Sequence, residues 1–173
     1  MAKFHVIANF CKDLRLETIE HDNVVMENKA GKGGGLHLLR DIWDSRQDDE
    51  SSQNALHSLV AQMIHAFKKL KPDVVIKNHR IEHRVYILDE EKFVGRIHDD
   101  SCEYSLLLYY RIDSDIRGGT LNFYDDDAEK ITDSHVPSTG DLVIFAGVHA
   151  LGEVYAVKKA IRSVVIVHIN SED

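Results

Sequence analysis

The spacing of hydrophobic residues changes near position 71 and divides the chain into two parts. Between residues 51 and 70, apolar residues recur three and four positions apart: Leu56, Leu59, Val60, Met63, Ile64, Phe67 and Leu70. This spacing places them on one face of a helix. Ser51 or Ser52 can cap the helix and Pro72 ends it. The pattern therefore predicts one amphipathic helix, on which His57 and His65 are packing or surface residues.

After Pro72 the pattern becomes typical of β-strands. Six short runs are rich in Val, Ile, Leu and Tyr: "DVVIKNH", "HRVYIL", "YSLLLYYRI", "TLNFY", "GDLVIFAG" and "IRSVVIVHI". Turn residues separate them, notably Gly118-Gly119 and Thr139-Gly140-Asp141. No helix follows each strand, so we predict a mainly β fold with an N-terminal helix, built as an antiparallel sandwich or jelly roll.

The region from Asn23 to Asn54 is polar and irregular, interrupted only by "LHLLRDIW", and we expect a mobile flap there. It contains "GKGGG" at Gly31–Gly35, which matches neither a Walker A loop nor a dinucleotide fingerprint. We interpret Gly31–Gly35 as a flexible loop. The length of 173 residues is sufficient for one domain and too short for two of usual size.

Composition and charge restrict the partners. The formal net charge of −8 argues against general affinity for nucleic acid and favours a basic protein or a small substrate. The two cysteines, Cys11 and Cys102, form no disulfide framework or zinc pattern, which indicates a reducing compartment. No stretch is long enough to span a bilayer, and the first residues lack a signal-peptide core. We expect a cytoplasmic protein, or one made in the cytoplasm of a host cell.

A candidate metal site begins at His98-Asp99-Asp100. Residues two apart on a strand share a face, so His98 and Asp100 could bind one ion while Asp99 points away. A second histidine would complete the facial triad that holds non-haem Fe(II), and His149 is the best candidate because it follows the strand "GDLVIFAG". Three other histidines fit less well: His79, His83 and His168. Taken alone, the His-x-Asp pattern is weak evidence and favours an acidic turn at a strand end over a metal site.

The order of features in the C-terminal half adds specificity. Along the chain these are Tyr86, His98 with Asp100, "LLLYYRID", "GGTLNFY", "STGDLVIF", His149 and Arg162. This order resembles the 2-oxoglutarate and Fe(II)-dependent dioxygenases, most closely their prolyl 4-hydroxylase-like branch, over roughly residues 84–169. The resemblance implies a double-stranded β-helix, a cupin-like jelly roll, as the core of a single domain. That core would cover about residues 81–170, with residues 1–80 as a support or lid.

The same resemblance implies the chemistry. His98, Asp100 and His149 would hold Fe(II), with 2-oxoglutarate and O₂ as cosubstrates and ascorbate as a supporting reductant. A substrate C–H bond would be hydroxylated, with release of succinate and CO₂. The carboxylate at Asp100 favours hydroxylation, since related halogenases lack it.

The far carboxylate of 2-oxoglutarate needs a cation, and a guanidinium can meet it with two parallel hydrogen bonds. We expect Arg162 in this role, because it shares a strand face with Val164 and Ile166. The family's usual motif, a basic residue with a glycine two positions before it and a serine two positions after it, is not matched here. Lys158 or Lys159 is therefore an alternative anchor.

Two tyrosines are candidate contacts to the cosubstrate. The family often places a tyrosine hydroxyl from the "LLLYYRID" strand near the far carboxylate, and the parity of Tyr110 with Leu108 would turn it inward and Tyr109 outward. A core aromatic is the alternative for Tyr110. Tyr86 matches the family's tyrosine on the preceding strand, and for it a site role and a packing role both remain open.

Substrate selectivity must come from residues 1–80 and from loops such as Asp113–Arg117 and Asp125–Pro137. We expect a prolyl or similar residue in a peptide or protein, with a free small molecule as the next alternative. Nucleic acid demethylation ranks third, because no basic strip studded with aromatic residues is present. A jelly roll that only binds a ligand, without turnover, is the alternative from a different class.

Overall fold

The structure of the chain is a computed structural model that describes residues 4–10, 25–27, 37–44 and 55–172. The Gly31–Gly35 loop lies outside the described residues. Most of the described residues that form regular structure lie in β-strands, as the sequence predicts.

Seven strands form one antiparallel sheet, here called the major sheet. They are β1 (Phe4–Ile7), β2 (Val25–Glu27), β3 (His37–Asp44), β4 (Ile76–Leu88), β5 (Tyr104–Ile112), β9 (Leu142–Phe145) and β12 (Ala160–Ser171). Their order across the sheet is β1-β9-β5-β12-β4-β3-β2. The last strand, β12, pairs with β4 on one side and β5 on the other, so the strand that carries Arg162 lies at the centre of the sheet.

Shorter strands form the opposing layer. They are β6 (Ile116–Gly118), β7 (Leu121–Tyr124), β8 (Ile131–His135), β10 (His149–Leu151) and β11 (Val154–Ala156). They pair in the orders β10-β7-β8 and β11-β6, and isolated bridges at Phe93 and His98 place residues 93–98 beside them. From β4 onward the chain passes back and forth between the two layers, which is the connectivity of a jelly roll.

The major sheet is covered on both faces. Its inner face packs on the opposing layer through residues such as Leu107, Val143 and Phe123. Its outer face packs on the helix α1 (Ala55–Leu70) through Leu59, Met63, Phe67 and their neighbours. Because both faces of β5 are covered, this strand is apolar at nearly every position. The site described below lies between the layers, on the inner face.

Two details differ from the sequence prediction. The runs "DVVIKNH" and "HRVYIL", predicted as two strands, belong largely to the single strand β4. The region from Asn23 to Asn54, expected as a mobile flap, contains the strand β3 where the apolar run "LHLLRDIW" interrupts it, and β3 pairs with β4 from His37 opposite Ile87 to Asp44 opposite Arg80. The apolar run is visible in the sequence, but one short run does not show whether it forms a strand, because strand formation depends on a partner elsewhere in the chain.

Among the residues that the structure describes, no helix is both long enough and apolar enough to cross a membrane.

Candidate metal centre and its pocket

Backbone pairing brings two distant histidines together. The amide of His98 donates to the carbonyl of His149 at 3.0 Å, and the amide of His149 donates to the carbonyl of His98 at 2.9 Å. Residues paired in this way face each other across an antiparallel ladder, and their side chains leave from the same side. The two imidazole rings accordingly lie with centroids 4.4 Å apart.

Asp100 completes a group of three converging ligand atoms. Its Oδ1 lies 3.3 Å from Nε2 of His98, and its Oδ2 lies 3.6 Å from Nε2 of His149. Ligand atoms bound side by side to one ion at about 2.1 Å would be about 3 Å apart, so small side-chain movements would seat an ion here. Asp99 is exposed, and its Oδ1 accepts from the amide of Ser101 at 2.8 Å. The donor set of two imidazoles and one carboxylate fits non-haem Fe(II).

Local hydrogen bonds fix which ring nitrogen of each histidine faces the centre. Nδ1 of His98 lies 2.9 Å from the carbonyl oxygen of Arg96, and Nδ1 of His149 lies 3.1 Å from that of Gly147. A carbonyl only accepts hydrogen bonds, so each Nδ1 carries the proton and donates it. In the neutral ring the Nε2 lone pair then faces the centre, which is the form of histidine that binds a metal. When His98 also carries a proton on Nε2, it donates that proton to Oδ1 of Asp100.

The electrostatics also suit a cation. Burial works to raise the pKa of Asp100, but the hydrogen bonds from His98 and Ser105 and the nearby imidazole of His149 outweigh it and hold that pKa well below its usual range. Ser105 donates to Oδ2 of Asp100 at 2.6 Å. The hydrogen bond with Asp100 raises the pKa of His98, whereas burial lowers the pKa of His149. The centre therefore keeps a carboxylate and at least one neutral imidazole at neutral pH.

A cavity of about 70 Å³ opens from this centre into the space between the layers. Its walls combine the triad with basic, aromatic and aliphatic side chains: Arg84, Tyr86, Leu107, Tyr109, Leu121, Leu151, Arg162, Val164 and Ile166. One end of the cavity thus carries the three candidate metal ligands. The rest of its wall is mostly apolar and includes two arginines, Arg84 and Arg162.

Arg162 lies on this wall together with Val164 and Ile166. It is 5% exposed, its guanidinium carbon lies 5.0 Å from the centre of the Tyr109 ring, and its Nη1 donates to the carbonyl of Gly119 at 3.3 Å. Its Nε is buried and has no hydrogen-bond partner among the described residues. A buried guanidinium donor without a partner is costly, so Arg162 is well suited to an anionic ligand in the cavity.

The alternative anchors lie elsewhere. Lys158 and Lys159 are exposed in the turn between β11 and β12. They border a surface depression that also includes Asp89, Glu90 and Glu91. Neither lysine lines the cavity beside the metal centre.

The predicted orientation of Tyr110 is wrong. Tyr110 points to the outer face of the major sheet, where it packs with Leu106 and Leu108 and its hydroxyl contacts Nε2 of His83. Tyr109 points to the cavity instead. Because β5 is apolar on both faces, its pattern could not show which alternate set faces inward. An irregularity opposite β12 adds to the difficulty, since Ser163 pairs with Arg111 and Val164 with Tyr109, so the register shifts by one residue at Tyr110.

Tyr86 does line the cavity, and beside it lies Arg84, which the sequence analysis missed. Nη1 of Arg84 donates to the Tyr86 hydroxyl at 3.3 Å, and its Nε donates to Oε2 of Glu82 at 2.8 Å. These three residues alternate along β4 and therefore share its inner face. Arg84 could have been identified from its position two residues before Tyr86, because residues two apart on a strand share a face and Tyr86 was already a candidate site residue.

No protein-family model matches the sequence, and no curated protein is similar enough to count as a match. The fold does match solved structures. IDO from Bacillus thuringiensis aligns with a TM-score of 0.65 at 12% identity, over 99% of this chain and 91% of that one. A prolyl-4-hydroxylase from Pseudomonas putida aligns with a TM-score of 0.55 at 15% identity, over 99% and 94%.

An oxidoreductase of the 2OG-Fe(II) oxygenase family from Burkholderia pseudomallei aligns with a TM-score of 0.52 at 15% identity, over 86% of this chain and 72% of that one. Identities this low establish the architecture rather than the activity. The chain shares its fold with these three solved structures.

Proposed function

We propose that this protein is an Fe(II)- and 2-oxoglutarate-dependent oxygenase that hydroxylates a substrate C–H bond. One observation carries the proposal. The Nε2 atoms of His98 and His149 converge on Asp100 at one end of a cavity, and the same cavity is lined by the buried Arg162, whose Nε lacks a partner among the described residues. A cation site and an anion site in one enclosed space match the two ends of a metal-bound keto acid.

When bound, the iron would supply O₂ activation coupled to decarboxylation of 2-oxoglutarate. His98, Asp100 and His149 would hold it from one side and leave the other side open to ligands. Ser105 keeps the carboxylate of Asp100 oriented by its hydrogen bond to Oδ2. The chain's role at this end is therefore to present three ligands whose orientation and ring tautomer are set by local hydrogen bonds.

At the other end, Arg162 would bind the far carboxylate of 2-oxoglutarate through charge-assisted hydrogen bonds. Its contact with the Tyr109 ring and with the Gly119 carbonyl holds the guanidinium in place before the ligand arrives. The aliphatic walls at Leu107 and Val164 exclude water and strengthen this pairing. Arg162 would thus fix the direction of the cosubstrate relative to the metal.

For the substrate we propose a prolyl or similar residue within a peptide or protein. Support comes from the alignment with the Pseudomonas putida prolyl-4-hydroxylase over nearly the full length of both chains. Two large apolar side chains, Val94 and Ile97, are 58% and 44% exposed on the segment that leads into His98. They could contact an apolar residue of a peptide. The net charge of −8 disfavours a nucleic acid substrate.

The test is turnover. Purified protein supplied with Fe(II), ascorbate and 2-oxoglutarate should release succinate, and mass spectrometry of peptide pools should detect a gain of one oxygen. His98→Ala and His149→Ala should abolish both iron retention and succinate release. His65→Ala, at an exposed position on α1, is the matched control and should change neither. Unchanged metal content in both triad variants would contradict the proposal, and iron binding without succinate release would indicate a binding module.

A further inference from the structure

A second group of metal-ligating side chains lies directly beside the triad. Nδ1 of His168 is 3.5 Å from Sγ of Cys102 and 3.7 Å from Oδ2 of Asp100. The three ligand atoms all lie within 4.8 Å of one another. Cys102 lies just before β5, and His168 lies on β12 opposite Ser105 of β5. Neither takes part in the chemistry proposed above.

The spacing suits a tetrahedral ion. With a metal–sulfur bond of about 2.3 Å and a metal–nitrogen bond of about 2.0 Å, tetrahedral ligands place sulfur and nitrogen about 3.5 Å apart. The observed separation between Cys102 and His168 has this value without any movement. A thiolate, an imidazole and a carboxylate together form a softer donor set than the triad and favour Zn²⁺ over Fe(II).

The other side of His168 provides independent support. The residue is 3% exposed, and its buried Nε2 has no hydrogen-bond partner among the described residues. That atom lies 3.7 Å from Oε1 of the buried Glu82. Metal-binding histidines commonly direct the second ring nitrogen to a carboxylate, which fixes the ring and raises its basicity. His168 therefore sits between Glu82 and the candidate ion as such a ligand would.

There is also room for an ion. A polar cavity of about 40 Å³ is lined by Asp100, Cys102 and His168 together with Asn78 and Asn170, which is more than the roughly 10–15 Å³ that one water requires. Arg80 also borders the cavity. Its Nη2 lies 3.6 Å from Oε1 of Glu82, which offsets part of its charge.

We propose that Asp100, Cys102 and His168 form a second metal site, selective for Zn²⁺, that antagonises iron binding. The Cys102 thiol would release its proton to solvent as the sulfur coordinates. Oδ2 of Asp100 faces both sites, at 3.6 Å from Nε2 of His149 and 3.7 Å from Nδ1 of His168. If one carboxylate oxygen is shared between two divalent ions, their positive charges lie close together. An ion bound at one site therefore lowers the affinity of the other site for its ion. The antagonism rests on the proposed iron site, whereas the zinc site itself does not.

Cobalt is the probe for the site, because Co²⁺ bound to a thiolate gives an intense near-ultraviolet charge-transfer band that nitrogen and oxygen ligands do not give. Anaerobic titration of the reduced full-length protein with Co²⁺ should produce this band. Cys102→Ser should abolish this band. His168→Ala should lower the apparent affinity for Co²⁺, measured by the same band, at least about tenfold. Cys11→Ser removes the chain's other thiol and should leave the band unchanged.

The His149→Ala variant distinguishes metal binding at this site from metal binding at the triad. It should lose iron retention but keep the thiolate band. Absence of the band in the wild-type protein, its persistence in Cys102→Ser, or its loss in His149→Ala would each overturn the proposal. None of these readouts depends on turnover, so failure of the zinc site and failure of the oxygenase assignment remain distinguishable.

Equilibrium dialysis tests the antagonism. Zn²⁺ should displace Fe(II) from the wild-type protein, and Cys102→Ser should require at least about tenfold more Zn²⁺ for the same displacement. Equal displacement curves for the two proteins would mean that Zn²⁺ competes only at the triad, which would overturn the antagonism.

Discussion

At the scale of single residues, the proposed chemistry depends on groups prepared by their immediate contacts. Two backbone carbonyls set the protonation of His98 and His149, and Ser105 orients Asp100. Arg162 is held by the Tyr109 ring and the Gly119 carbonyl while its Nε stays without a partner among the described residues. Each of these contacts restricts the orientation of a side chain that the proposed ligands would need, which lowers the cost of binding.

Arg162 gives the first prediction. Arg162→Ala should raise the KM for 2-oxoglutarate about tenfold to a hundredfold, since a hydrogen bond to a charged group contributes about 1.5–3 kcal/mol. Arg162→Lys should show a smaller increase, because a lysine keeps the charge but loses the planar pair of donors. Succinate release measured against 2-oxoglutarate concentration gives these values. Lys158→Ala and Lys159→Ala are the controls. A raised KM for 2-oxoglutarate in either lysine variant, with an unchanged KM in Arg162→Ala, would identify that lysine as the residue that binds the far carboxylate.

The protonation of the triad gives a pH prediction. A metal needs both Nε2 atoms without a proton, and the hydrogen bond to Asp100 raises the pKa of His98 above its usual value, whereas burial lowers that of His149. His98 therefore takes up a proton first as the pH falls. Metal affinity should be full above this raised pKa and should fall about tenfold per pH unit below it.

Calorimetric titration with Co²⁺ measures this dependence, in the Cys102→Ser variant so that the thiol does not contribute. Affinity that stays constant from about pH 8 down to about pH 5 would contradict the assignment of His98 as a ligand.

At the scale of strands and turns, pairing between neighbouring elements positions the site. The bridge between His98 and His149 joins a segment of irregular backbone to the start of β10. The turn between β6 and β7 brings Gly119 against Arg162, where an added Cβ would lie 2.3 Å from Nη1. Gly119 has φ of +82°, a conformation that other residues adopt with strain. This turn therefore shapes the space for the guanidinium.

Gly119→Ala tests the role of this turn. The added methyl group should displace the Arg162 guanidinium and raise the KM for 2-oxoglutarate about tenfold, while iron retention stays unchanged. Gly140→Ala is the matched control, because Gly140 also has positive φ, at +93°, but its added Cβ would approach Asn9 rather than Arg162. Both variants should lower Tm by several degrees. A normal KM in Gly119→Ala would show that Arg162 does not depend on the turn.

The sequence predicted these elements unevenly, for physical reasons. The strand β5 and the helix face at Leu59, Met63 and Phe67 follow from hydrophobic spacing, because burial selects residues directly. The facing of Tyr109 and Tyr110 could not be predicted in this way, because both faces of β5 are buried and a local irregularity shifts the pairing. The strand β3 was missed because its stability depends on β4, a partner distant in sequence.

At the scale of the whole molecule, the fold provides the proximity that the sequence only suggests. His98 and Asp100 could be paired by their spacing, but their approach to His149 requires the two layers of the jelly roll. The helix α1 packs on the outer face of the major sheet, whereas the cavity lies on the inner face, between the two layers. The second metal group could not be predicted, because Cys102 and His168 share no motif and meet only through the pairing of β5 and β12.

The central claim is that His98, Asp100 and His149 bind one Fe(II) ion next to a site for 2-oxoglutarate. The most direct measurement is anaerobic absorption spectroscopy as Fe(II) is added to the protein with 2-oxoglutarate, because bidentate binding of the keto acid to protein-bound Fe(II) gives a visible charge-transfer band. The wild-type protein should develop this band up to one Fe(II) per chain, and His149→Ala should not. Absence of the band in the wild-type protein, or an undiminished band in His149→Ala, would contradict the account.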